Sequence, residues 1–241
     1  MSALLTQDAF FQGRIQVRQY RAGYRFSIDS VILAHLVNPR GAKRVLDLGA
    51  GCGIIALLLT FRHSGIHVFC VEIQTELAEL ARLNAAENHL DDRITVLCQD
   101  MKTLTQENTG GPVDMAVCNP PYHRPASGRI NPDHQRAIAR HEISADLGDV
   151  LDAARRTLMT SGRLDLIYPA ERLTDVLSLM RLKGIEPKLM RMIHSRKNED
   201  AVMVWVEGVQ NARPGVRVLA PLTIYREDGS YTDEAARMFS P

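Results

Sequence analysis

From Val45 onward the chain alternates short apolar runs with longer amphipathic ones, and few folds accommodate that alternation. The runs 45–48, 68–71, 94–98 and 113–118 are short and rich in branched side chains, so they read as buried strands. Between and after them, 54–62, 75–88, 149–159 and 170–182 carry helical spacing. A further strand is expected at 164–168. Two closing strands, 189–193 and 202–206, are joined by the polar turn Asn198-Glu199-Asp200. Strands that alternate with helices predict an α/β fold with a doubly wound, mostly parallel sheet covered on both faces. Right-handed crossovers then direct ligands to the carboxyl ends of the strands. Before this core, alternation over 14–28 with a turn at Ala22-Gly23 predicts a β-hairpin, followed by a short helix over 31–36 capped by Ser27 or Asp29.

Composition excludes several classes. Hydrophobic residues make up 45% of 241, enough for a sizeable core, and the net charge of +1 leaves any nucleic-acid contact to local clusters. The four cysteines, Cys52, Cys70, Cys98 and Cys118, form no CxxC pair, so free thiols are expected and no metal. The start has no signal-peptide pattern, and the apolar stretch 54–61 is too short to cross a bilayer. A cytoplasmic protein with no membrane partner is the expectation.

The first core strand runs into Asp47-Leu48-Gly49-Ala50-Gly51-Cys52-Gly53. Glycines at alternate positions let backbone turn sharply and approach a ligand, and the next helix aims its N-terminus there. Glu72 ends the second strand, 19 residues after Gly53, where a carboxylate can accept ribose hydroxyls. Asp100 ends the third, placed to meet an adenine amine. Gly51-Cys52-Gly53-Ile54-Ile55-Ala56 also fits a dinucleotide pattern, but the acid Asp47 two residues before the first glycine argues against it. Asp47-x-Gly49-x-Gly51-x-Gly53 resembles the S-adenosylmethionine signature of class I methyltransferases.

Asn119-Pro120-Pro121-Tyr122 leaves the fourth strand. Prolines fix φ and lack the N–H, so they hold the Asn119 amide and the Pro120 carbonyl rigidly. Two fixed oxygen acceptors beside an aromatic plate suit a flat group bearing an NH2. The motif resembles that of enzymes that methylate planar nitrogen: adenine-N6 and cytosine-N4 nucleic-acid enzymes and glutamine-N5 protein methyltransferases.

With Gly23-Tyr24-Arg25-Phe26-Ser27-Ile28-Asp29-Ser30, Val71-Glu72-Ile73-Gln74, His141-Glu142, Ser161-Gly162-Arg163 and the Ile224 to Thr232 tail, the chain resembles the bacterial tRNA adenine-N6-methyltransferases. That family modifies the adenosine beside the anticodon of valine tRNA. The resemblance implies one Rossmann-like methyltransferase domain with a seven-stranded sheet, residues 1–43 forming an N-terminal extension and 44–241 the catalytic core. It implies S-adenosylmethionine as cofactor, held by Phe26, Ser27, Asp47, Gly49, Gly51, Gly53, Glu72, Ile73, Asp100, Met101 and Asn119. Catalysis falls to Asn119, Pro120, Pro121 and Tyr122, and an RNA, most simply a tRNA, is the substrate of a monomer or weak homodimer.

Basic residues cluster at Arg14, Arg18, Arg21 and Arg25 on the hairpin, and at Arg124, Arg129, Arg136 and Arg140 after the Asn-Pro-Pro-Tyr motif. A third cluster, Lys188, Arg191, Arg196 and Lys197, has no acid within it. Arg124, Arg129, Arg136, Arg140, Arg196 and Lys197 are the candidates for RNA phosphates. The competing functions are a glutamine-N5 protein methyltransferase, an rRNA base methyltransferase and a non-catalytic RNA-binding module.

Overall fold

The computed structural model describes residues 5–22, 25–120 and 147–240. Two strands, β1 (Leu5–Phe10) and β2 (Ile15–Tyr20), form an antiparallel hairpin ahead of helix α1 (Ile28–Leu36). The alternating core follows: β3 (Arg44–Leu48), α2 (Ile54–Arg62), β4 (His67–Glu72), α3 (Thr75–Glu87), β5 (Ile94–Cys98) and β6 (Val113–Cys118). After residue 146 come α4 (Leu147–Thr157), β7 (Leu158–Pro169), α5 (Leu173–Leu182), β8 (Ile185–His194) and β9 (Ala201–Gln210). Two-residue strands β10 (Arg217–Val218) and β11 (Leu222–Thr223) and the short helix α6 (Asp233–Arg237) complete the described chain.

The long strands form one sheet in the order β5-β4-β3-β6-β7-β9-β8, all parallel except β9, which runs antiparallel to both its neighbours. These are the seven strands expected. β10 and β11 add to the outer edge of β8 and bring the sheet to nine. Order reverses at β3 and β6, the topological switch point where such sheets open a crevice. One core buries α1, α2 and the hairpin against the first sheet face, and a second buries α4 and α5 against the other.

The hairpin differs from its sequence reading. β2 pairs with the upstream segment 5–10, and the turn is Phe11-Gln12-Gly13, not Ala22-Gly23. All three turn residues have positive φ, the hand that a tight hairpin needs. The cap of α1 also differs. Ser27 occupies the N-cap position without capping, and its hydroxyl donates to Asp29 Oδ2 at 2.8 Å. The next boundary shift is at α4, which stops at Thr157, a β-branched residue whose hydroxyl turns back to the Ala153 carbonyl; the chain enters β7 at Leu158, before the expected 164.

What fastens the hairpin to the core is a pair of asparagines four residues apart, Asn84 on α3 and Asn88 just past its end. Asn84, fully buried, accepts from the Arg18 backbone N–H at 2.8 Å and donates to the Arg18 carbonyl at 3.1 Å. Its second N–H reaches the Cys52 carbonyl in the glycine turn at 2.9 Å. Asn88 repeats the pairing on Gln16, at 2.8 and 2.7 Å. The two amides thus act as a neighbouring strand for the open edge of β2, satisfying backbone groups that would otherwise be costly to bury. The Arg18–Glu87 ion pair lies beside them.

Replacing Asn84 with Ala strands three backbone groups at once. Urea unfolding of Asn84→Ala is expected to show a loss of roughly 2–4 kcal/mol. A loss below about 0.5 kcal/mol, the level of an ordinary surface substitution, would contradict this clamp.

Candidate active site

Asp47, the glycine turn, Glu72, Asp100 and Asn119 stand at the carboxyl ends of β3, β4, β5 and β6, four adjacent strands. The parallel sheet therefore brings together residues separated by up to 72 positions. Gly49, Gly51 and Gly53 all have positive φ, as the turn demands. At Gly53 a Cβ would come within 3.2 Å of the Ala81 Cβ, so a side chain there would have to push Ala81 of α3 back by a few tenths of an ångström, besides straining the positive φ.

Glu72 organises the turn from below. It is buried, and its two oxygens accept from the backbone N–H groups of Gly51 at 2.8 Å and Gln74 at 2.9 Å. Burial raises its pKa, and these amides offset part of the rise. Asp47 is more extreme. It is fully buried, and neither oxygen has a hydrogen-bond partner among the described residues. Burial, reinforced by the Glu72 charge, pushes its pKa from 3.8 to about 7, with the Ala56 backbone amide pulling weakly the other way.

Asp100 caps the short 3-10 turn Met101–Thr103, accepting from the Lys102 N–H at 2.9 Å. Arg156 on α4 ties that loop down through the carbonyls of Leu104 and Met101, at 2.6 and 2.8 Å. The Met101 side chain lies beside Gly49, its Cε 3.9 Å from where a Cβ would stand. Ile73 is half-buried between Glu72 and Gln74.

Asn119 is the first residue past β6. Its Nδ2 donates to the hydroxyl of Ser30 on α1 at 2.8 Å, and its Oδ1 is buried without a partner among the described residues. Unpartnered buried polar atoms recur along this edge, on Asp47, Gln74, Gln99 and Asn119. Such atoms are rare in folded proteins; others lie on Arg44, Thr60, Asp165 and Gln210, but those at four adjacent strand ends fit a surface that receives a polar ligand.

The N-terminal part of the site arrives by another route. Gln19 is buried on β2, its Oε1 accepting the Phe26 backbone N–H at 3.0 Å and its Nε2 donating to Asp8 at 2.6 Å. Phe26 packs against Phe10 with ring centroids 5.7 Å apart, and Ser27 is exposed at the start of α1. The same helix carries Ser30 one turn later, so Phe26 and Ser27 are joined structurally to Asn119.

Arg196 and Lys197 follow β8, whose carboxyl end lies on the same sheet edge, three strands from β6 or about 14 Å at ordinary strand spacing. With Thr223, Tyr225, Arg226 and Thr232 they line a cavity of about 410 Å³. Arg196 is paired with Glu199 at 2.9 Å. The rest of that basic cluster is structural: Arg191 makes a two-pronged pair with Glu234 of α6, and Lys188 donates to the Arg213 carbonyl. On the hairpin, Arg18 and Arg25 are paired with Glu87 and Asp8, and Arg14 lies over the Phe61 ring. Pro121, Tyr122, Arg124, Arg129, Arg136 and Arg140 lie outside the described residues.

Sequence reasoning passed over Ser30, Asn84 and Gln19 as parts of the site. A signal existed for Asn84, a polar residue on the face of α3 otherwise made of Leu77, Ala78, Leu80, Ala81 and Ala85. Ser30 and Gln19 gave none, because their roles rest on partners distant in sequence or on a hairpin paired differently from expectation.

Residues 25–171 match the methyltransferase small domain family. The chain belongs to that family. A tRNA1(Val) (adenine(37)-N6)-methyltransferase of Aeromonas hydrophila is 28% identical over 225 residues, covering 92% of this chain and 91% of the relative. One of Porphyromonas gingivalis, with the same name, is 35% identical over 175 residues, covering 70% and 68%. Among solved structures, a predicted O-methyltransferase from Agrobacterium tumefaciens superimposes with a TM-score of 0.68 at 23% identity, covering 87% of this chain and 94% of its own. The fold is that of a class I methyltransferase, and the protein is an S-adenosylmethionine-dependent methyltransferase.

The residues present fit that cofactor. Two adjacent buried carboxylates, one without a partner among the described residues, favour a ligand bearing positive charge, and the cofactor carries a sulfonium and an ammonium. The open glycine turn supplies close backbone approach.

The Asp47 carboxyl gives a pH signature in the free protein. Its folded pKa of about 7 lies above its ordinary 3.8, so between these values the folded state keeps a proton that the unfolded state has lost. Its charge therefore penalises folding increasingly as pH rises through that window. Asp47→Asn is expected to raise the Tm by an increment that grows from about pH 4 to about pH 7 and is level above. An increment independent of pH would contradict the raised pKa.

Proposed function

We propose that the protein transfers a methyl group to the N6 atom of an adenosine in tRNA, at the position beside the anticodon of valine tRNA. The observation that carries this reading is the Asn119 carbonyl oxygen, buried beside the glycine turn with no partner among the described residues. The two relatives' names, with coverage of up to 92% of this chain, supply the choice of tRNA.

An aryl amine is a poor nucleophile because its lone pair is delocalised into the ring. Asn119 Oδ1 accepts one N6–H and the Pro120 carbonyl the other. These two bonds draw the nitrogen toward a tetrahedral shape and turn its lone pair out of the ring plane. S-adenosylmethionine supplies the electrophilic methyl group at a sulfonium. The N–C bond forms as the S–C bond breaks, and the surplus proton on N6 passes to solvent. Positioning, not proton abstraction, is the work of the residues, and no general base is required.

Pro121 stiffens the chain after Pro120, and Tyr122 stacks on the base, a contact worth roughly 1–3 kcal/mol. The adenosine must leave any stack to enter the site. On the cofactor side Glu72 takes the ribose, Asp100 the adenine amine, Ile73 and Met101 the adenine faces, and Asp47 with Gly49, Gly51 and Gly53 the methionine portion. Phe26 and Ser27 close over the methionine end. Lys197, Arg196, Arg124, Arg129, Arg136 and Arg140 contact phosphates. Nucleotides flanking the target enter the cavity near Lys197, on the same sheet edge as Asn119. The protein works as a monomer or weak homodimer in the cytoplasm; among the described residues no helix is long and apolar enough to cross a membrane.

The test is nucleoside mass spectrometry of unmodified tRNA incubated with the protein and S-adenosylmethionine. New N6-methyladenosine is expected, with Asn119→Ala reducing its rate by at least about 100-fold while S-adenosylhomocysteine binding changes little. Full activity of Asn119→Ala, or methylation of protein glutamine in preference to tRNA, would refute the proposal.

A further inference from the structure

A primary amide has two ends that differ chemically and hardly at all in shape. Asn119 can serve the amine only with its oxygen toward the acceptor pocket. Turned over, it would present N–H groups to the N–H groups of the target, and the bond that activates the nitrogen would become a repulsion. Pro120 fixes the backbone beyond Asn119 but exerts no hold on the rotation of its side-chain amide. Something else must hold that amide in place.

The group in contact with the far end is the Ser30 hydroxyl. It accepts from Asn119 Nδ2 at 2.8 Å, and Ser30 is itself 2% exposed. Asn119 Oδ1 has no partner among the described residues. A hydroxyl both donates and accepts, so Ser30 does not by itself choose the end; it fixes where the amide lies and gives its N–H a partner while the oxygen serves the amine. We infer that Ser30 is a positioning residue for the methyl transfer, holding the Asn119 amide with its oxygen toward the amine. This rests on the methyl-transfer reading above and adds to it the residue that makes the Asn119 oxygen available.

The placement of Ser30 has its own support. α1 is fixed at its start through the Phe26 N–H on Gln19, and its body is buried along Ser30, Val31, Ile32, Leu33 and Ala34. The hydroxyl therefore sits on a rigid element and not on a loop, as a precise orienting contact requires. In Ser30→Ala the amide loses that anchor, and its N–H has no partner among the described residues while the oxygen serves the amine. In Ser30→Thr the oxygen is retained at nearly the same place.

The experiment compares wild type, Ser30→Ala and Ser30→Thr in steady-state methylation of tRNA, with S-adenosylhomocysteine binding and Tm measured on each. Ser30→Ala is expected to lower kcat by roughly 5- to 20-fold, the range for one hydrogen bond lost in the transition state. The KM for tRNA and the affinity for S-adenosylhomocysteine should stay within about twofold, and Ser30→Thr should recover most of kcat. Unchanged kcat in Ser30→Ala would overturn the role of Ser30 alone. So would a parallel loss of kcat, cofactor affinity and Tm that threonine fails to restore, because it would mark a merely structural contact. Absence of product from wild type would instead overturn the methyl-transfer reading, and the inference with it.

Discussion

The site depends on one buried amide that touches neither end of the proposed chemistry. Asn84 holds the Cys52 carbonyl of the glycine turn and both backbone groups of Arg18 in a single planar side chain. Because Arg18 is fixed, its neighbour Gln19 is fixed, and Gln19 in turn anchors the Phe26 N–H ahead of α1. That helix carries Ser30, which meets Asn119. The cofactor turn and the acceptor asparagine are therefore referenced to the same residue, one directly and the other through the hairpin. The N-terminal hairpin, which by itself would be too small to be stable, becomes the bracket that sets the position of α1.

The fold tolerates poor local electrostatics where the ligand belongs. Elsewhere Glu207 pairs with Arg40 at 2.6 Å, while Asp165 accepts from the Trp205 indole at 3.0 Å with one oxygen and leaves the other without a partner among the described residues. Along the carboxyl edge the shortfall is greater. Asp47 has no partner for either oxygen among the described residues, and there only the nitrogen of the Asn119 amide has one. The cost of these groups is borne by the two packed faces of the sheet, whose cores run through α1 and α2 on one side and α4 and α5 on the other. A site that satisfied every one of its own polar atoms would offer nothing to a cationic cofactor or an amine.

Much of this was legible in the sequence because it is local. The strands at 94–98 and 113–118 and the helix at 54–62 have the expected bounds, set by continuous apolar runs between glycines and polar turns. Glu72 and Asp100 fall at strand ends for the same reason. The hairpin was misplaced because the strand with the clearest alternation, 15–20, has two flanks, and the choice between them is made by the Phe11-Gln12-Gly13 turn and by Asn84 and Asn88 from another element. The basic cluster near the last strands has no acid within it. Arg191 instead reaches Glu234, 43 residues later, a pairing no local window contains. Ser30 and Asn119 are 89 positions apart, and nothing near either residue announces the other.

The central claim is that the Asn119 oxygen receives the target amine. A crystal structure of the protein with S-adenosylhomocysteine and an unmodified RNA stem-loop bearing the target adenosine tests it most directly. The account predicts the adenine N6 within about 2.7–3.2 Å of Asn119 Oδ1, with Nδ2 still on the Ser30 hydroxyl. An adenine bound elsewhere, or an Asn119 side chain turned away from N6, would contradict it.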